Sequence, residues 1–206
     1  MDPHVPHGSI SSFKDFLIHI GIVTIGILIA LGLEQVVEAY NRAKHAAEAV
    51  DGFRRELADN RVQVEEVLKA MPEMRAAIRT EIATLEAPPN ATADTKIHYP
   101  GINLNLTSNA SWEAAVATQA LADLPYKDVH RYAEAFGVYR LFLDEERVGL
   151  AAWQDLRAFG DDASKLSSDD RRALLEHLRR YDSYTYALDL VGKSALAAGD
   201  RALNPQ

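Results

Sequence analysis

Residues 16–33 read FLIHIGIVTIGILIALGL, eighteen positions without a formal charge, bounded by Lys14–Asp15 and Glu34. Only His19 and Thr24 in this run carry polar side chains. As a helix the run is about 27 Å long, close to the hydrocarbon thickness of a bilayer. In lipid it has to be helical, because nothing there pairs with a bare backbone amide. A cleaved leader has a shorter apolar core and a more basic start, and Ala30–Leu31–Gly32 makes a poor cleavage site. A surface helix of a small domain needs only one apolar stripe, and an interfacial helix needs a polar face. The run has neither restriction, so one transmembrane helix is expected over 16–33, after a tail of residues 1–15.

Within this helix Gly21, Gly26, Ala30 and Gly32 are expected to form a small face for helix–helix packing, including the pair Gly26-x-x-x-Ala30. His19 is by its position a candidate axial ligand for a haem or chlorophyll. It lies near the end of the run, within reach of the headgroups, and no second ligand is visible, so no cofactor is expected. Lys14 and the terminal amine on one side nearly balance Arg42 and Lys44 on the other, so loop charge leaves the orientation open.

From Gln35 to Met71 there is no proline and a single glycine, Gly52, in a background of Ala, Glu, Leu and Arg that suits a helix. Val36, Ala43, Val50, Leu57, Val64 and Met71 recur every seven residues, with Ala39, Ala46, Phe53, Asn60 and Val67 as a companion seam. This is the repeat of a coiled coil or of a long bundle helix, broken only by Asn60. The intervening charged residues, Glu56 among them, are expected in water. Val36, Ala39, Ala43 and Ala46 form a stalk over 34–49 whose small side chains bury little area. Packing against the chain's own helices is expected to begin near Val50, leaving the stalk bare or paired with another protein. Pro72 should kink or end the helix.

Farther along, Met74, Ile78, Ile82 and Leu85 form an apolar stripe over 73–86. Asn90 to about Asn109 is rich in Asn and Thr; Ile102, Leu104 and Leu106 alternate with Asn103 and Asn105, the pattern of an extended segment laid over helices. Asn90, Asn105 and Asn109 head glycosylation-like triplets, which chance explains in so biased a stretch. A third helix is expected from an N-cap at Ser111 to about Leu124, burying Trp112, Val116 and Leu121. A fourth, with Asp123 as its cap, should reach Phe159, burying Val129, Tyr132, Phe136, Tyr139, Leu143, Leu150 and Trp153 before Gly160 stops it. A fifth, capped by Ser168, should bury Leu174, Leu178, Tyr181, Leu188 and Val191. The expected fold is all-α: a membrane helix continuing into a long stalk helix, then an antiparallel helical bundle over 50–206.

The 206 residues carry 22 Lys+Arg against 30 Asp+Glu, a net charge of −8, which argues against nucleic acid as a partner. The absence of cysteine excludes disulfides, thiolate metal sites and cysteine nucleophiles. No Gly-rich phosphate loop, nucleophile elbow or His-Glu-x-x-His pair occurs. Glu65–Glu66, Asp144–Glu145–Glu146, Asp161–Asp162 and Asp169–Asp170 read as solvated faces and caps. The aromatic series Tyr126, Tyr132, Phe136, Tyr139, Phe142, Trp153, Tyr181, Tyr184 and Tyr186 reads as core, with a ligand pocket as the alternative. No catalytic or metal-ligating residue is expected.

Thr24-Ile-Gly-Ile-Leu-Ile-Ala-Leu, followed by Glu34–Gln35 and later by Asn109-Ala-Ser-Trp-Glu-Ala-Ala, resembles a set of uncharacterised bacterial single-span membrane proteins. The likeness covers the span, the stalk and the Ser-Trp-Glu helix, about half the chain. It implies a helical domain facing the periplasm from the inner membrane, and no catalytic residue. Together these readings lead to a non-enzymatic scaffold or accessory subunit that meets lipid and other membrane subunits, identical or different. A membrane-tethered sensory or small-ligand-binding domain is the alternative.

Overall fold

The computed structural model describes residues 13–87, 95–102 and 106–204. Among these there are four α-helices: α1 (Phe13–Glu86), α2 (Ala110–Ala117), α3 (Tyr126–Arg157) and α4 (Ser168–Leu203). Short 3-10 turns lie at Ala120–Asp123 and Ala163–Lys165. The fold is all-α with a long N-terminal helix, as expected. Residues 1–12 of the expected tail, with His4 and His7, lie outside the described residues. The chain divides into two compact units, Met1–Ala47 and Glu48–Gln206.

The first unit contains the beginning of α1. None of its apolar window is buried. Ile22, Ile25, Leu28 and Leu33 are each more than half exposed.

The second unit is a bundle of the later part of α1, α3 and α4. α4 runs antiparallel to the other two. α1 and α3 run parallel, joined by the crossover 87–125, as the contacts of Phe53 with Tyr132 and Phe136 at one end and of Ile78 with Leu156 at the other require. One cluster gathers Phe53, Leu57, Val64, Tyr132, Phe136, Tyr139, Phe142, Ala195 and Ala198. A second gathers Ile78, Leu85, Ile97, Leu156, Leu174, Leu178 and Tyr181.

All three helices keep the seven-residue repeat, the spacing by which helices stay in register over many turns. In α1 the buried or half-buried seam runs Val50, Leu57, Val64, Met71, Ile78, Leu85, with Phe53, Asn60, Val67, Met74 and Glu81 beside it. The seam crosses Pro72 without a break. Pro72 therefore does not end the helix. It removes one hydrogen bond, to the Leu68 carbonyl, while the apolar stripe on both sides of it is already committed to one core.

In α3 the repeat is Tyr132, Tyr139, Glu146, Trp153 and Ala135, Phe142, Gly149, Leu156. Leu143 and Leu150, expected in the core, are only half-buried, as are Val129 and Trp153. The cause is that Glu146 and Gly149 hold the register positions that apolar pattern-matching passes over. In α4 the repeat is Leu174, Tyr181, Leu188, Ala195, Ala202 and Leu178, Thr185, Gly192, Gly199; Val191 is half-buried and Gly192 takes the interior. Two of these glycines permit close approach of a tyrosine. A Cβ at Gly149 would collide with the Tyr184 ring, and one at Gly199 would sit 2.7 Å from the Tyr139 hydroxyl.

Helix ends differ from expectation in instructive ways. α4 is capped by Ser167, one residue earlier than expected: its Oγ accepts from the Asp170 amide at 3.1 Å while the Asp170 carboxylate accepts from the Ser167 amide at 3.2 Å. α3 starts behind Pro125 without a side-chain cap, so Asp123 does not fill that role. It ends at Arg157, and Gly160 turns the chain at φ 77. α2 stops at Ala117, and Ala115 rather than Val116 is its buried residue.

The extended segment does lie on the helices where it is described. Ile97 is buried, its amide donates to the Asp161 carbonyl at 2.9 Å, and the Trp153 indole donates to the Pro100 carbonyl at 2.9 Å. Asn103, Leu104, Asn105 and Asn90 lie outside the described residues. The Asn109 side chain donates through Nδ2 to the Phe136 carbonyl at 3.2 Å.

Candidate functional site

The residues expected to carry packing in the membrane all lie on α1. Gly26, Ala30 and Gly32 are exposed, Gly21 is half-buried, and none of the three glycines has a neighbour against the place of a Cβ. Helical geometry divides the four. At about 100° per residue, Gly26 and Ala30 lie about 40° apart, whereas Gly21 and Gly32 lie on roughly the opposite side. They therefore make two small faces, not the one expected from composition. Gly26-x-x-x-Ala30 is the pair with close-packing spacing.

Of the stalk residues, Val36 is 67% exposed, and Ala39 and Ala43 are also exposed. Ala46 is 5% exposed and so belongs with the buried positions. Val37 and Tyr40 add to the exposed apolar surface. The seam is one pattern along α1, but its members before Ala46 are open and its members from Phe53 onward are enclosed.

Sequence reasoning placed Glu56 in water. Its carboxylate is instead the cap of α2: Oε1 accepts from the Ala110 amide and Oε2 from the Ser111 amide, both at 2.8 Å, and Oε1 also accepts from the Ser108 hydroxyl. A negative charge at a helix N-terminus satisfies amides that have no partner inside the helix. One turn on, Asn60 reads the backbone of Ser108 twice, donating to its carbonyl and accepting from its amide, each at 2.7 Å. This explains why Asn60, a polar residue, occupies the α1 seam. Trp112 stacks on Phe136 and meets Phe53, which holds the other side of α2. The Asn-Ala-Ser-Trp-Glu motif is thus a latch on the bundle.

Two further acids were missed as interior residues. Glu146 is 2% exposed and Glu81 is 4% exposed. Both were legible in principle: stepping by seven from Tyr132 reaches Glu146, and stepping by seven from Val67 through Met74 reaches Glu81. The Glu81 carboxylate accepts from the His98 amide at 3.1 Å and so pins the extended segment.

Glu146 lines a void of about 10 Å³ together with Met71, Met74, Gly149, Tyr181 and Leu188. That is room for about one water molecule. The Tyr181 hydroxyl lies 3.9 Å from the Met74 sulfur. Burial pushes the Tyr181 phenol up to about 12. Burial raises the Tyr184 phenol as well, with the charge of Glu146 adding to it. Of the expected aromatic series, Tyr132, Phe136, Tyr139, Phe142 and Tyr181 are buried in the two core clusters, Trp153 and Tyr184 pack against them, and Tyr126 and Tyr186 are exposed.

A shallow surface groove between the start of α3 and the end of α4 is lined by Arg54, Lys127, Asp128, Arg131, Glu134 and Arg201. Its charges are largely paired among themselves, Arg131 with Asp128 at 3.2 Å and Arg201 with Glu134 at 2.6 Å. Among the described residues no three His, Asp or Glu side chains converge as a metal-binding group. Comparison with protein-family models, curated proteins and solved structures finds no match to this chain.

Proposed function

We propose that the chain is a non-enzymatic, single-span membrane-anchored scaffold or accessory subunit, with residues 16–33 in the inner membrane of a bacterium and the helical domain in the periplasm. The observation that carries this reading is the exposed apolar surface of α1. A helix in water hides its apolar side chains, and Ile22, Ile25, Leu28, Leu33, Val36 and Tyr40 are open. Lipid accounts for the residues up to Leu33. Other membrane subunits, identical or different, account for Val36, Ala39 and Ala43, which lie beyond the hydrocarbon yet continue the seam. The resemblance to bacterial single-span proteins supports the same placement. The small size of the interior void weighs against an organic ligand.

The test is fractionation of cells expressing the full chain, followed by alkaline carbonate extraction and purification in mild detergent. The chain should stay with the membranes and carry stoichiometric protein partners or self-associate. Release into the soluble fraction would remove the anchor. Monomers alone, without a co-purifying protein, would remove the subunit role.

A further inference from the structure

We propose that the surface groove lined by Arg54, Lys127 and Arg201 binds a soluble polyphosphate, a compact anion with several phosphoryl groups in a row. Three helices build this groove: Arg54 comes from α1, Lys127, Asp128, Arg131 and Glu134 from α3, and Asp200 and Arg201 from α4. Each of its acids already has an arginine. Asp128 lies 3.2 Å from Arg131, Glu134 lies 2.6 Å from Arg201, and Asp200 is held by Arg61. Among the described residues Arg54 and Lys127 pair with no acid, and both are exposed. The groove therefore carries two uncompensated cations, in a chain whose net charge is −8.

The arrangement of the cations selects the ligand. Guanidinium and ammonium groups both hold phosphate oxygens through charge-assisted hydrogen bonds. The two open cations stand on different helices, so a row of phosphoryl groups reaches from one to the other without both having to grip a single atom. The groove offers about 1090 Å³, the scale of a cleft for a small molecule rather than for a bare ion. An acidic peptide spreads the same charge over a flexible backbone and loses more conformational freedom on binding. The rest of this acidic chain repels dissolved anions, which makes the local surplus of positive charge selective for place. The site goes beyond the subunit reading: it lies within residues 54–201 and is indifferent to whether residues 16–33 sit in lipid.

The experiment titrates the full chain, in a neutral detergent and metal-free buffer, with inorganic tripolyphosphate. Binding should saturate, raise the melting temperature and weaken as salt is added. The double substitution R54Q/K127Q should weaken it about tenfold while leaving the circular dichroism unchanged. Arg180, an exposed cation outside the groove, supplies the control for net charge: R180Q should bind as the wild type does. In the wild type, bound tripolyphosphate should protect Lys127 from amine acylation and leave Lys69 reactive, a reading that needs no variant. Doping the detergent with phosphatidylglycerol, or adding a hexa-aspartate peptide, should not displace it. No saturable binding, an equal loss in R180Q, or an unprotected Lys127 at saturation each overturns the proposal. Displacement by the lipid or by the peptide also overturns it, in favour of a headgroup or an acidic segment as the ligand.

Discussion

Tyr139 and Tyr181 sit at core positions of α3 and α4, and burial raises both phenols to about 12 from an ordinary value of 10. Burial disfavours the phenolate, so the folded chain keeps two protons that the unfolded chain gives up. The sign follows from linkage: a raised folded value contributes stability that is complete below pH 10 and lost as pH rises from about 10 through about 12. A tyrosinate absorbance titration should show a late component near pH 12. Tyr139→Phe and Tyr181→Phe should each diminish it, and a late component unchanged in both variants would contradict the assignment.

The latch between α1 and α2 is the clearest case at the scale of elements. An eight-residue helix is too short to be stable alone. It persists because Glu56 caps it and Asn60 fixes the turn before it. Glu56→Ala should cost ~1–2 kcal/mol in urea denaturation. Amide exchange should accelerate at Ala110 and Ser111, while that of Val64 stays slow. Unchanged exchange at Ala110 and Ser111 would show that the aromatic contacts of Trp112 suffice. Pro72 offers the opposite experiment. It sits exposed inside a continuous helix, where it withholds one hydrogen bond and crowds the preceding turn. Pro72→Ala should therefore stabilise the chain by ~1–3 kcal/mol, read from the denaturation midpoint at unchanged slope. A loss of stability would mean that the ring itself is needed by the seam.

The whole molecule separates a unit that hides its apolar residues from one that shows them. The second unit has two core clusters, built from α1, α3 and α4 with residues of α2 and the extended segment packed among them, and so encloses most of its own apolar residues. A chain of residues 48–206 should be soluble, highly helical and cooperative in thermal unfolding, whereas the full chain should require detergent. A shortened chain that aggregates would show that residues before Glu48 are part of the fold.

The apolar run, the all-α class and the seven-residue seam of α1 were all legible in the sequence, because each is a local periodicity of apolar side chains. The stop at Gly160 was legible too, since only glycine adopts its backbone freely. Tertiary structure alone decided the remainder. It carried α1 through Pro72, because burial on both sides of the proline outweighs one missing hydrogen bond. It drew Glu56 and Asn60 to a segment some fifty residues away, a pairing that no local pattern encodes. It placed Glu146, Gly149 and Gly192 inside, where their worth depends on Tyr184, Leu68 and Phe142 arriving from other helices. Local pattern determines which residues prefer to leave water; which of them meet is settled only when distant helices pack together.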